Sequence, residues 1–187
     1  TLGQGSVVRD VTVRGSGSGI LANGVGGFGL QRVTIENTGG AGLTLTNTTG
    51  TVVIDGITIR GAGGAGLLVN GGSGLVLRNS TIGGGAGAID INDAGGNLTA
   101  SLSNLALSAT GGTVLDIDGS GAGPVTVAGL SGIFVAGGNG ETGGFAARNA
   151  TFDSSTAGGI QAVNAGTMQV GTSTARVNGA GVSLTEV

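Results

Sequence analysis

The chain contains no cysteine and no histidine. Without cysteine it has no disulfide bond, no thiolate nucleophile and no thiolate ligand for zinc. Without histidine it has no imidazole general base, no Ser-His-Asp triad and no imidazole metal ligand. Any catalysis or metal binding would therefore depend on carboxylates, amides, hydroxyls and arginine.

Charged and aromatic residues are also scarce. Charged residues make up 9% of the chain, all seven basic residues are arginine, and aromatic residues make up 2%. The net charge of −3 provides no basic surface, so we expect neither nucleic acid nor anionic lipid as a partner. The sequence has no run of 18 apolar residues and no signal-peptide pattern, so we expect no transmembrane segment.

Glycine is the residue present in excess. It accounts for 45 of the 187 residues, about three times its usual frequency, and there is one proline. Hydrophobic residues make up 39% and occur as short alternating runs of Val, Ile and Leu, in which disordered chains are poor. No strict Gly-X-Y period is present, which excludes collagen. The composition predicts a folded, glycine-rich repeat protein.

Self-similarity along the chain predicts a solenoid. An apolar-x-apolar triplet, usually preceded by Gly and often followed by Asn or Asp, recurs every 18 to 27 residues, and we assign it to the first strand of each turn. Its copies begin at Ile20, Leu43, Leu67, Ile89, Leu115, Ile133, Ile160 and Val182.

Two further triplets recur between these copies. The triplet assigned to the third strand of a turn often has Thr at its centre and begins at Val11, Val33, Ile57, Ser80, Leu105, Val125, Ala150 and Ala175. The triplet assigned to the middle strand begins at Phe28, Val52, Leu75, Phe145 and Met168. Period-2 alternation places the outer residues of each triplet inside and the central one outside.

Turns of this length with a Gly-apolar-x-apolar-Asn core resemble the right-handed β-helix repeat. Pectate-lyase-like enzymes, autotransporter passengers, phage tailspikes and large bacterial surface proteins share that repeat. The resemblance covers residues 6–187, and residues 38–47 are most similar to Gly/Thr/Asn-rich surface proteins and autotransporter passengers. It implies a fold more than a function, since one fold hosts many activities.

We therefore predict an all-β fold, a right-handed single-stranded parallel β-helix. It would have about eight turns of roughly 23 residues, with three short strands per turn. Residues 1–187 would form a single domain, which we expect to be part of a longer protein.

Two polar files are predicted along the solenoid. Asn23, Asn70 and Asn92 fall at one corner and predict a structural ladder of stacked amides. Thr12, Thr34, Thr58 and Thr81 predict an outward threonine file on the third strand, where hydroxyls contact their neighbours.

A cluster of carboxylates offers the best candidate for chemistry. Asp90 and Asp116 are assigned to the same outward position on adjacent turns, so we expect their carboxylates roughly 5 Å apart. Such a pair matches the separation in a retaining glycoside hydrolase. The resemblance implies the same, because pectin-degrading β-helix enzymes carry catalytic carboxylates at outward strand positions. Asp90 and Asp116 are thus the catalytic candidates if the protein is an enzyme.

The surroundings of this pair favour other interpretations. No arginine is assigned to the column of Asp90 and Asp116, and Phe134 is the aromatic residue expected near them, one turn above Asp116. The candidate ligands for a hard cation are Asp90, Asn92, Asp93, Asp116 and Asp118, and calcium would need 6 to 8 oxygens. We expect no cofactor other than calcium.

The favoured function is a non-catalytic structural or adhesive module of an exported bacterial surface or secreted protein, located outside the cell or at its surface. Candidate partners are a polysaccharide or a host or cell-surface glycan. Open strand edges would also permit end-to-end or lateral self-association. The alternatives are a polysaccharide lyase or glycoside hydrolase using Asp90 and Asp116, and a carbohydrate- or calcium-binding adhesive module.

Overall fold

Short strands joined by corners make up the described part of the chain. The computed structural model describes residues 3–92, 98–119, 125–136, 145–148, 150–154, 160–163, 168–170, 174–177 and 183–185. No helix occurs in these ranges. The strands are β1 (Val7–Arg9), β2 (Thr12–Arg14), β3 (Ile20–Asn23), β4 (Gly29–Gln31), β5 (Thr34–Glu36), β6 (Leu43–Asp55), β7 (Thr58–Ala62), β8 (Ala65–Gly84), β9 (Gly87–Asn92), β10 (Thr99–Ala109), β11 (Leu115–Asp118), β12 (Val125–Ala136), β13 (Phe145–Arg148), β14 (Ala150–Ser154), β15 (Ile160–Val163), β16 (Met168–Val170), β17 (Thr174–Val177) and β18 (Ser183–Thr185).

Every strand pairing is parallel, and each pairing joins one turn to the next. In what we call the first column, the residues in register are Ile20, Leu43, Leu67, Ile89, Leu115, Phe145 and Met168. In the middle column they are Val8, Leu30, Ile54, Leu77, Leu102 and Leu130. In the third column they are Thr12, Thr34, Thr58, Thr81, Ala106, Phe134, Gln161 and Ser183. The fold is the predicted all-β parallel solenoid with three strands per turn.

The number of turns differs from the prediction. All three columns run through about five turns between Val7 and Asp118, against the eight expected for the whole chain. The strands from β12 onward pair onto these turns in the same three columns.

The sequence assigned all eight triplets after residue 118 to the wrong column, and three of them show the pattern. Ile133 pairs with Leu105 in the third column, whereas the sequence placed it in the first. Val125–Val127 lies in the middle column, because Thr126 is in register with Thr99. Phe145 pairs with Leu115 in the first column. An apolar-x-apolar triplet fits all three columns, so its place depends on its distance from the preceding corner.

The core is a stack of aliphatic side chains inside the three columns. Alternation holds well in the first column, where Leu43, Leu67, Ile89 and Leu115 are fully buried. Burying such a side chain contributes about 1.5–3 kcal/mol. The stacked turns together supply a core that no single turn could form.

Corners require a backbone conformation with positive φ. Between the middle and third columns, every turn from the first to the fifth has one such residue, and these are Asp10, Arg32, Gly56, Asn79 and Asn104, with φ between 50° and 70°. Asn, Asp and Gly tolerate this conformation most readily, whereas Arg32 adopts it at a cost of about 1–2 kcal/mol.

A file of small residues lies just before the first column and allows the third column to pack closely against it. A Cβ atom on Gly42 would lie 2.5 Å from Ile59 Cγ2 and 2.8 Å from the Gly66 carbonyl oxygen. Gly66 has the same relation to Ile82. This close approach explains why Gly precedes many of the first-strand triplets.

A buried serine occupies an inward position in the third column. Ser80 is 3% exposed and occupies the inward position that Ile57 and Leu105 occupy in the adjacent turns. Its hydroxyl accepts a hydrogen bond from the Ile57 N–H at 3.1 Å and donates one to the Arg78 carbonyl at 2.7 Å. The serine thus satisfies backbone groups at a corner where an aliphatic side chain would not.

Replacing Gly42 by alanine should destabilise the protein by about 1–3 kcal/mol, because the added methyl group must displace Ile59 or the Gly66 backbone. The matched control is Gly15→Ala, where a Cβ meets no atom within 4 Å. Urea denaturation of the two variants measures the difference. Equal stability of the two variants would contradict the close packing described here.

Replacing Ser80 by alanine should cost about 1–3 kcal/mol, because the buried Ile57 N–H loses its acceptor. Ser103→Ala, at a partly exposed outward position, should change stability by less than about 0.5 kcal/mol. Chemical denaturation followed by circular dichroism compares the two. A loss at Ser103 as large as that at Ser80 would argue against this role of the buried hydroxyl.

Candidate functional site

Two carboxylates lie side by side on the outward face of the first column. Asp90 in β9 is in register with Asp116 in β11 on the adjacent turn. Their strand neighbours Ile89 and Ile117 are fully buried, which directs both aspartates outward. The register is thus the one expected from the sequence, and the carboxylate separation of roughly 5 Å stays a prediction.

The neighbouring corner position adds polar groups. Asn92 donates a hydrogen bond from Nδ2 to Asp90 Oδ1 at 2.9 Å, and Asn92 is in register with Asp118. Asp93, the remaining candidate cation ligand, lies outside the described residues.

The surface above the aspartates is a shallow hollow of about 180 Å³. Its lining residues are Ala65, Leu68, Ala86, Gly87, Asp90, Thr113 and Asp116. Ligand pockets commonly measure about 300–1,000 Å³. The hollow is therefore smaller than a typical substrate cleft.

The described ranges contain no candidate metal centre. No group of three or more acidic residues is arranged there to hold a metal ion. The calcium site formed by Asp90, Asn92, Asp93, Asp116 and Asp118 stays a prediction.

Two expectations about the neighbours of the aspartates were wrong. Arg148 lies in the first column, in register with Asp118, although no arginine was expected in that column. Phe134 pairs with Ala106 in the third column, so it is not one turn above Asp116. Both errors follow from the misassigned triplets after residue 118.

The predicted amide ladder occupies a mixed file. In successive turns this corner carries, in register, Asn23, Thr46, Asn70 and Asn92. A threonine therefore separates the first asparagine from the other two. Asn92 bonds to Asp90 within its own strand. Stacked amides at this corner stay a prediction.

An axial chain of polar hydrogen bonds occurs at another corner, between the middle and third columns. Asn79 donates from Nδ2 to Asp55 Oδ1 at 2.9 Å, and Asn104 donates to Asn79 Oδ1 at 2.9 Å. The residues bond along the solenoid axis across three turns. The recurrence of polar residues just before the third-strand triplets could have indicated this chain.

The predicted threonine file is present in register. Thr12, Thr34, Thr58 and Thr81 stack in the third column, and Ala106 follows them. A second file in the middle column contains Thr99, Thr126, Thr151 and Thr174 in register. The sequence assigned Thr126 and Thr151 to the third column, which is incorrect for the same reason as above.

Arginine and acidic residues form ion pairs between adjacent turns. Glu36 is 5% exposed and lies between Arg14 and Arg60, which pair with its two carboxylate oxygens. The Arg60 Nε to Glu36 Oε2 distance is 2.8 Å. One carboxylate thus joins three successive turns of the third column.

A second set of ion pairs lies at the corner between the middle and third columns. Arg32 binds Asp10 with two hydrogen bonds of 2.6 and 2.8 Å, and Arg78 Nε lies 2.9 Å from Asp55 Oδ2. Sequence reasoning missed all these pairs. Their signal was the spacing of opposite charges at about one turn, from 22 to 24 residues.

These contacts change the acidity of the carboxyl groups. Hydrogen bonds from Arg60 and Arg14 lower the pKa of Glu36. A hydrogen bond from Arg32 lowers the pKa of Asp10, and hydrogen bonds from Asn79 and then Arg78 lower the pKa of Asp55. In each case the donors stabilise the ionised form.

The parallel columns, aliphatic stack and positive-φ corners define the class of protein, a parallel β-helix solenoid. A model of the family described as right-handed β-helix region matches residues 2–175, and the chain belongs to that family. A comparison with curated proteins found no match, and neither did a comparison with solved structures. Within its described ranges the chain has no helix long and apolar enough to cross a membrane.

Acid should weaken the fold through the lowered carboxyl pKa values. A carboxyl group whose pKa is lower in the folded state stabilises it above the unfolded pKa, about 4 to 4.5. That stability is lost as pH falls through the folded pKa. Tm should therefore decrease below about pH 5.

Glu36→Gln provides the specific test of this acid effect. Its Tm should be lower than that of the unmodified protein at pH 7, and the difference should shrink towards pH 3. Ser103→Ala is the control, because this partly exposed residue carries no charge and its Tm difference should not depend on pH. A pH-independent difference for Glu36→Gln would show that its ionised form is not stabilising.

Proposed function

We propose that the chain is a non-catalytic structural module, a stiff solenoid of an exported bacterial surface or secreted protein. The observation that carries the proposal is that charged side chains form ion pairs between adjacent turns. Arg14, Arg32, Arg60 and Arg78 each pair with an acidic residue of an adjacent turn. These charged groups join turns, which suits a protein whose work is mechanical.

The hydrogen-bond network supports the same proposal. The backbone of each turn bonds to the next, and the Asp55, Asn79 and Asn104 side chains bond along the axis. Networks of several ion pairs and hydrogen bonds contribute more to stability than isolated surface pairs do. A rod of this construction can project or space other parts of a surface protein.

The shape of the aspartate face also favours a non-catalytic function. Its hollow of about 180 Å³ is bounded mainly by small residues such as Ala65, Ala86 and Gly87. Enzymes that act on polysaccharides need a cleft that encloses part of the chain and holds the scissile bond against the catalytic groups.

A second candidate function is a polysaccharide lyase or glycoside hydrolase. The register of Asp90 with Asp116 supports it, together with the position of Arg148 opposite Asp118. Two carboxylates at neighbouring outward positions, with an arginine in the next turn of the same column, are residues that can act on an acidic sugar chain. Calcium binding by the same acidic face is an additional variant of this proposal.

An activity screen separates the two functions. The purified chain is incubated with acidic and neutral polysaccharides, with and without calcium, and reducing ends and unsaturated products are measured. We expect no turnover, and a Tm that is the same with and without calcium, since a ligand that binds the native state raises Tm.

The variants Asp90→Asn and Asp116→Asn complete the experiment. Turnover that either variant abolishes, while Gly15→Ala retains it, would overturn the structural proposal and assign an active site to the first column. A calcium-dependent rise in Tm that both variants remove would instead support a calcium-dependent adhesive module.

A further inference from the structure

A larger hollow lies on a different face, where the third column passes its third turn. It measures about 340 Å³, which is within the range of small-ligand pockets. Arg60 forms one side, and the lining also includes Thr81, Gly83, Ser108 and Thr110. This hollow contains none of the residues of the aspartate face.

The hollow forms at an irregularity in strand pairing. The register between β7 and β8 shifts between Ile59 and Ala62, so Arg60 and Gly61 together face Gly83. Such a bulge redirects side chains and is common beside functional sites. Gly83 presents no side chain there, whereas Glu36 occupies the equivalent position beside Arg60 on the preceding turn.

The charge in the hollow is positive. Arg14 and Arg60 share the single carboxylate of Glu36, which leaves one excess positive charge on the three residues. The Arg60 side chain is 67% exposed, and Arg60 is the one charged residue among those that line the hollow. A guanidinium has five N–H donors, so its contact with Glu36 leaves donors for a second anion.

Hydroxyl groups complete the lining. Thr81, Ser108 and Thr110 are exposed residues of the two turns that follow Arg60. A Cβ atom on Gly83 would lie 3.2 Å from Ser108 Oγ, so the absent side chain leaves this hydroxyl accessible from the hollow. Hydroxyls beside a guanidinium can bind the ring hydroxyls and the acidic group of a sugar.

We propose that this hollow binds an anionic saccharide unit, with the acidic group of the sugar on Arg60 and its hydroxyls on Thr81, Ser108 and Thr110. The site adds a ligand to the proposed rod and does not depend on the rod being non-catalytic. Carboxylated and sulfated sugars share the chemistry that Arg60 recognises.

Binding is tested by titrating the full chain at low salt with a trimer of galacturonic acid, a sulfated galactose trimer and a neutral galactose trimer. Isothermal calorimetry or chemical-shift changes measure each Kd. At least one of the two anionic trimers should bind at least about tenfold more tightly than the neutral trimer, since one charged contact is worth that factor or more. Comparing the two anionic trimers shows which acidic group the site prefers.

Two variants and a matched control locate the site. Arg60→Gln should weaken binding of the anionic trimer by about tenfold or more. Arg9→Gln removes one positive charge from β1 in the first turn, at a residue that does not line the hollow, and should leave Kd within about twofold. Gly83→Val should block binding by filling the hollow, and circular dichroism verifies that each variant is folded.

Three results would overturn the proposal. The first is equal binding of the anionic and neutral trimers, and the second is an equal loss of binding in Arg9→Gln and Arg60→Gln. The third is no binding of either anionic trimer at millimolar concentration. None of these results affects the structural proposal. That proposal is tested separately, by the activity screen and by the comparison of Tm with and without calcium.

Discussion

The parallel pairing of each turn with the next is the constraint on which the rest of this structure depends. A residue in one turn lies beside its counterpart about 23 positions later, so each position becomes a file along the solenoid. The side chains of one file must be chemically compatible with one another, because they are neighbours along the solenoid axis. Aliphatic files such as Leu43, Leu67, Ile89 and Leu115 form the core, because aliphatic side chains of similar size pack closely on one another.

The same constraint governs charge. Like charges stacked in register repel, and opposite charges on adjacent turns attract. The file of Arg14, Glu36 and Arg60 alternates in sign, and this alternation lets a carboxylate that is 5% exposed remain ionised. Asp90 and Asp116 break the rule, since two carboxylates are in register there. Residues that are not chemically compatible with their neighbours are expected at functional or strained sites. The aspartate face therefore stays a candidate functional site.

Glycine and asparagine have different roles in this solenoid: glycine permits close packing, and asparagine occupies the bends. Gly42 and Gly66 allow the first and third columns to approach, where a Cβ would overlap Ile59 or Ile82. Asn79 and Asn104 instead supply positive φ at a corner and a hydrogen bond along the axis. Where Gly83 interrupts the charged file, the surface opens into the hollow beside Arg60.

The sequence by itself determined the solenoid, the three strands per turn, the inward and outward faces and the adjacency of Asp90 and Asp116. These features follow from local alternation and a repeat length that is nearly constant up to residue 118. Only the tertiary structure decided which column takes Val125, Ile133 and Phe145, and thus that Arg148 lies opposite Asp118 and Phe134 does not lie near Asp116. The physical reason is that an apolar-x-apolar triplet is equally suited to every column, and only the distance from the preceding corner and the pairing partners choose among them. The ion pairs, the axial Asn79 and Asn104 chain and the bulge at Arg60 likewise depend on register, which short-range pattern does not specify.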